Sequence, residues 1–135
     1  MYYVDANVFV DALIDEGKHG EAARKFFKNS ALSQIPLHTS VLTIDEVAWS
    51  VKKSRGRPEA ARAGKTMLEI SNLTVVPVDL LIIRSALEFV EGGLDPRDAI
   101  HVATMRQLGI TNIITDDAHF DKISSITRIR VEKLV

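Results

Sequence analysis

Two kinds of stretch alternate along the chain. Short runs of apolar and β-branched residues are separated by longer segments in which apolar residues recur every three or four positions. The first run lies in Met1-Tyr2-Tyr3-Val4-Asp5-Ala6-Asn7. It has strand composition and stops at a carboxylate. Val8, Phe9, Ala12 and Leu13 then follow at helical spacing, so the strand feeds straight into a helix and opens a βαβ unit. Asp15-Glu16-Gly17-Lys18 reads as a turn, and a second helix from about Gly20 to Asn29 carries Ala22, Ala23, Phe26 and Phe27. Ile35-Pro36-Leu37-His38 predicts a second strand, its proline near the start where the ladder can spare an N–H. Thr39 and Ser40 then open a third helix that reaches about Ser54 on the stripe Ile44, Val47, Ala48, Val51.

The second half repeats the alternation. Pro58 starts a fourth helix, and Leu73 to Pro77 is a third strand. Asp79 caps a fifth helix, which Gly92-Gly93 terminates. Asp95 as cap and Pro96 at the first helical position open a sixth, ended by Gly109. Asn112-Ile113-Ile114 is a fourth strand, followed by a short helical turn from Ala118 to Ile123. The last strand, Thr127 to Val131, alternates Arg128 and Arg130 with Ile129 and Val131, as a half-exposed edge strand does. Five short strands separated by helices predict an α/β fold, with a mostly parallel sheet and helices on both faces. Right-handed crossovers bring every strand-to-helix junction to one edge of that sheet, where such folds bind ligands.

Composition narrows the function classes. The 135 residues suit one domain, 1–135, with one core, at 46% hydrophobic and 26% charged content. No apolar run approaches a membrane span, and the carboxylate at Asp5 argues against a signal peptide, so the expected location is cytoplasmic. With no cysteine, disulfides and thiolate metal sites are excluded. A formal charge of −1 excludes bulk polyanion binding of the histone kind but not a local patch. One such patch exists: Lys52, Lys53, Arg55, Arg57, Arg62 and Lys65 are opposed only by Glu59. It is either a solvated face complementing a helix C-terminus or a contact for a phosphate backbone. The histidines at 19, 38, 101 and 119 lack the close spacing of a zinc site, and His101 on its helix reads as packed or hydrogen-bonded.

Acidic residues carry the candidate chemistry. Asp5, Asp98 and the pair Asp116-Asp117 all lie at strand ends or helix starts. Each has a local explanation. Asp5 or Asn7 can cap the first helix, and Asp98 suits the first turn of the sixth. Glu46 can complete a capping box, Thr43-Ile44-Asp45-Glu46, or point into a cleft from the side opposite the apolar stripe. Converging, however, they would repel one another unless a cation neutralised them. The cation that suits oxygen donors is Mg²⁺ or Mn²⁺, which can polarise a phosphoryl oxygen and lower the pKa of a bound water. No Ser-His-Asp arrangement or glycine-rich phosphate loop competes, so metal-assisted phosphodiester hydrolysis is the natural class. A phosphoacceptor (receiver-like) signalling domain would need its acid pair early, and here the pair is late. A haloacid-type phosphatase would need Asp-x-Asp where the chain has Asp5-Ala6-Asn7. A nuclease fold serving only as an RNA- or protein-binding module is a further alternative.

Four motifs occur in order from one end of the chain to the other: Val4-Asp5-Ala6-Asn7; Asp45-Glu46-Val47; Pro96-Arg97-Asp98-Ala99-Ile100-His101; and Ile114-Thr115-Asp116-Asp117-Ala118-His119-Phe120-Asp121-Lys122-Ile123. In these the chain resembles single-domain PIN proteins of the kind found as VapC-type toxins in prokaryotic toxin–antitoxin pairs. The resemblance implies a three-layer α/β/α sandwich and an acidic quartet of Asp5, Glu46, Asp98 and Asp117 around Mg²⁺ or Mn²⁺. The family pattern Thr-x-Asp-x-x-Phe selects Asp117 over Asp116, leaving Asp116 as a supporting or second-metal residue. Asn7 and Thr115 would orient carboxylates or bound water. Endoribonuclease activity on RNA, a homodimer and an antitoxin partner are likewise what the resemblance implies. With RNA as substrate, the Lys52–Lys65 cluster becomes a candidate backbone contact.

Overall fold

A computed structural model describes all 135 residues. Its five strands form one sheet in the order β3-β2-β1-β4-β5, every neighbouring pair parallel. The strands are β1 (Tyr2–Val4), β2 (Leu37–Ser40), β3 (Leu73–Val76), β4 (Asn112–Ile114) and β5 (Thr127–Ile129). The helices are α1 (Ala6–Ile14), α2 (Lys18–Leu32), α3 (Val41–Arg55), α4 (Arg57–Leu68), α5 (Leu80–Glu91) and α6 (Pro96–Leu108). Short 3-10 turns cover Ala118–Lys122 and Val131–Lys133. No helix is long and apolar enough to cross a membrane.

Strand alternation divides the core in two. Side chains of successive residues leave a strand on opposite faces. Val4, Leu37 and Ile114 accordingly pack with Val8, Phe9, Phe26, Val47 and Met67, beneath α1 to α4. Tyr3 and Ile113 pack on the other face against Val102 and Met105 of α6 and Phe120 of the first 3-10 turn. Ile82 and Ala86 of α5 join Ala99 and Ala103 of α6 outside that layer. The result is the expected three-layer sandwich, with Tyr3 and Val4 of β1 fully buried at its centre.

Several boundaries differ from the pattern-based expectation. Helix α2 extends further at both ends, and β5 stops at Ile129, leaving Val131 in a 3-10 turn. The second strand lies two residues later, because Thr39 and Ser40 pair with Val75 and Val76 instead of opening the helix. Thr39 is tolerated there because its hydroxyl donates to the Val4 carbonyl at 2.8 Å. Helix α3 therefore starts at Val41 with Ser40 at its cap, which puts Thr43 inside the first turn, buried; the Thr43–Glu46 capping box does not form. Asp95 occupies the cap position of α6, but its side chain makes no capping hydrogen bond. Gly109 ends α6 in the left-handed region (φ 69°), a conformation that favours glycine.

Candidate active site

Because β1 and β4 are neighbours in register (Val4 beside Ile114), the residues after them, Asp5 and Thr115, emerge side by side at the carboxyl edge. The Thr115 hydroxyl donates to Asp5 Oδ2 at 2.7 Å. It also accepts from Asn7 Nδ2 at 2.8 Å and from the Asp117 backbone N–H at 3.0 Å. Asn7 donates as well to Asp5 Oδ2 at 3.2 Å, and its own oxygen accepts from the Asp116 N–H at 3.3 Å. Asp5 Oδ1 caps α1 through the Ala6 N–H at 2.8 Å. The expected cap and the expected site residue are thus one carboxylate. Asn7 and Thr115 tie it to the Asp116-Asp117 turn.

Helix α6 brings the third segment. Asp98 lies in its first turn, and His101 follows one turn later on the same side. The imidazole is 1% exposed. Its Nδ1 is 2.7 Å from the Tyr3 hydroxyl and its Nε2 is 2.6 Å from Glu46 Oε1, with Asp5 Oδ1 at 3.8 Å. Burial by itself lowers the pKa of such a ring. The Tyr3 oxygen, the hydrogen bond to Glu46 and the charges of Asp5 and Glu46 outweigh it and push the value up to about 10. A protonated ring donates from both nitrogens, so neither is free to ligate a metal. His101 is instead a buried cation between two acids. Asp5 is raised from the ordinary carboxyl value by burial and by Glu46, against the opposing pull of His101 and Thr115. Asp98 is raised by burial first and then by the charges of Asp117 and Asp5.

The four acids thus form two linked halves. Asp5 and Glu46 meet through His101; Asp98, Asp117 and His119 present ligand atoms all within 4.8 Å of one another. Asp98 feels the charge of Asp5 across the two. An open cleft of about 460 Å³ lies over them, lined by Glu46, Arg97, Asp98, Asp117 and His119 among others. Asp116 turns aside from this cleft. It meets Arg130 at 3.3 Å and stands within 3.9 Å of His19, in a neighbouring group with Asp11. Hard carboxylate oxygens with no thiolate and no free imidazole nitrogen in the buried half form a donor set that fits Mg²⁺ or Mn²⁺.

The sequence matches the PIN domain model over residues 2–126. The chain belongs to the PIN domain family. None of the curated proteins matches it. Among solved structures it is similar to VapC20 of Mycobacterium tuberculosis, a sarcin–ricin loop cleaving toxin. That similarity has 20% identity and a TM-score of 0.79, covering 96% of this chain and 99% of that one. A toxin–antitoxin complex from Klebsiella pneumoniae aligns at 21% identity and a TM-score of 0.66, with 94% and 96% covered. PAE2754 from Pyrobaculum aerophilum aligns at 25% identity and a TM-score of 0.63, with 98% and 90% covered.

Within this PIN domain the six basic candidates are not gathered at the acidic cleft. Arg62 pairs with Glu59, Arg55 donates to the Ile14 carbonyl at the far end of α1, and Lys53 lies over the Trp49 ring. Lys52, Arg57 and Lys65 stay exposed. The cation that does line the cleft is Arg97, which the sequence reading passed over together with Tyr3, His101 and His119 as site residues. His101 was within reach of sequence reasoning, since three residues after Asp98 is one turn on the same face.

Proposed function

We propose that this PIN domain is a divalent-cation-dependent endoribonuclease, the toxin of a toxin–antitoxin pair. The observation that carries the reading is that Asp5 and Glu46 form one acidic group and Asp98 and Asp117 another, with the charge of Asp5 felt at Asp98, at the carboxyl edge of the parallel sheet. In this reading those four carboxylates hold Mg²⁺ or Mn²⁺. When bound, the ion supplies a Lewis acid for a phosphoryl oxygen and a more acidic water. Asn7 and Thr115 fix the orientation of Asp5, and His101 lies between Asp5 and Glu46 and offsets their mutual repulsion. His119 steadies Asp117 at 2.9 Å. Asp116 acts as a supporting residue beside the site, and Lys52, Lys53, Arg55, Arg57, Arg62 and Lys65 meet the RNA backbone outside the cleft. That the similar VapC20 is an RNA-loop cleaving toxin, and that another similar structure is a toxin–antitoxin complex, supports RNA as substrate and an antitoxin as partner. A cytoplasmic homodimer completes the reading.

Cleavage of a labelled RNA with Mn²⁺ or Mg²⁺ tests it. Asp5→Asn and Asp98→Asn should each lose at least about a hundredfold in rate while keeping the wild-type far-ultraviolet spectrum. Full activity in Asp5→Asn would end this reading. An inert wild type that takes a phosphoryl group from a small phosphodonor would replace it with the phosphoacceptor alternative. Calorimetry showing RNA affinity but no metal affinity would leave a binding module.

A further inference from the structure

The acidic cleft does not end at Glu46. Glu46 and Arg97 also wall a second cleft of about 280 Å³, which runs on past Asn7 to Trp49. On α3, Glu46, Trp49 and Lys53 share one face, with Trp49 a single turn (about 5 Å along the axis) beyond Glu46. The indole is 52% exposed, a large apolar surface left in water beside an open groove. The Lys53 ammonium lies 3.7 Å from the ring centroid, so this ring already attracts a cation. Arg97 is exposed and stands among Asp95, Asp98 and Glu46, yet it makes no ion pair within 4 Å and no hydrogen bond. A free guanidinium where two clefts join presents a fork of donors matched to a phosphate.

We propose that the second cleft is a base-binding subsite for single-stranded RNA, with one base stacked on Trp49 and the phosphate leading to the acidic cleft held by Arg97. The inference rests on the nuclease reading above and names its substrate as unpaired RNA. Every base has a π face, so stacking on an exposed indole is sequence-tolerant, but it requires a base that is not already paired in a helix. Charge sets the path of the backbone. Asp11, Asp45 and Glu46 repel a phosphate from the rest of this cleft, and Arg97 is the only cation lining it. A strand that follows Arg97 enters the acidic cleft past Glu46, and so reaches the four carboxylates from a fixed direction.

Trp49 is the only tryptophan in the chain, so intrinsic emission reports on this site alone. In metal-free Asp98→Asn protein, an unstructured oligoribonucleotide should quench that emission saturably, and the same strand in a duplex should not. Arg97→Ala should weaken the quenching titration and lower its salt dependence by about one phosphate contact, with Arg97→Lys partly restoring both. In the active protein, Trp49→Ala should raise KM about tenfold with kcat held within about twofold, and Trp49→Tyr should recover most of the loss. Absent quenching together with an unchanged KM in Trp49→Ala, in a protein that still cleaves RNA, overturns the subsite and leaves the nuclease standing. Saturable quenching in a protein whose wild type cleaves no RNA upholds the surface as an RNA site and removes the nuclease reading instead. Emission that shifts with protein concentration and not with oligonucleotide assigns the surface to a second copy of the chain and overturns the proposal.

Discussion

His101 and His119 each hold a carboxylate of the site, Glu46 at 2.6 Å and Asp117 at 2.9 Å, but one ring is 1% exposed and the other 68%. Burial separates their roles. His101 is enclosed by Tyr3, the half-buried Glu46 and the buried Asp5, so its charge is part of what allows Asp5 to stay out of water. His119 sits at the cleft mouth, where solvent screens its contact with Asp117. One half of the site is enclosed by the fold, and the other faces the open cleft.

The largest test of that contrast is to remove each ring. His101→Ala leaves the buried Asp5 and the half-buried Glu46 without their shared cation, and should cost about 3–5 kcal/mol in urea unfolding at neutral pH. His119→Ala should stay within about 0.5 kcal/mol. Equal losses would erase the distinction between the halves. Metal linkage comes next. Mn²⁺ at a hundredfold excess over its Kd should stabilise the folded protein by about 2.7 kcal/mol. Asp98→Asn should lose most of that gain, while its metal-free form melts higher than wild type because Asp98 no longer opposes Asp117 and Asp5. Thr115→Val severs the connection between the halves, since one hydroxyl serves Asp5, Asn7 and the Asp117 N–H. About 1–3 kcal/mol should be lost, with Asn7 left seeking a partner.

The smallest effect concerns a histidine without acids. His38, on β2, is lowered below its ordinary value by burial and by the nearby N-terminal ammonium. The unfolded chain then binds the proton more readily than the folded one, so stability should fall slightly as pH drops below about 6.5. Proton NMR of the ring should show that lowered midpoint. A midpoint above 6.5 would mean that burial and the N-terminal charge do not govern His38.

What the sequence disclosed, and what it hid, follows the range of the interactions. β1 ending at Asp5, the Asp95-Pro96 start of α6 and the αL glycine at 109 are local matters of apolar runs, caps and permitted φ, and all stand where the pattern puts them. The acids could be nominated because parallel topology delivers strand ends to one edge. The boundary between β2 and α3 is not local: Ser40 does take the cap position of α3, but Thr39 and Ser40 also pair in β2. Only the Val4 carbonyl, 35 residues away, makes Thr39 at home in a strand. The position of His101, one turn after Asp98 on the same face, is local, but its partners are not: they lie 98 and 55 residues away. In the basic run, Arg55 and Arg62 also find partners that the cations themselves do not name, the Ile14 carbonyl and Glu59.

The strand order carries a consequence for synthesis. Tyr3 and Val4 form the central strand, but the neighbour that completes their pairing, Ile113-Ile114, is made long after them. Until the ribosome has released that late segment, Asp5 has no Thr115 to hold it and no Asp117 across from it. A nascent chain therefore carries Asp5 and Asp117 as separate side chains until β4 has been made and pairs with β1.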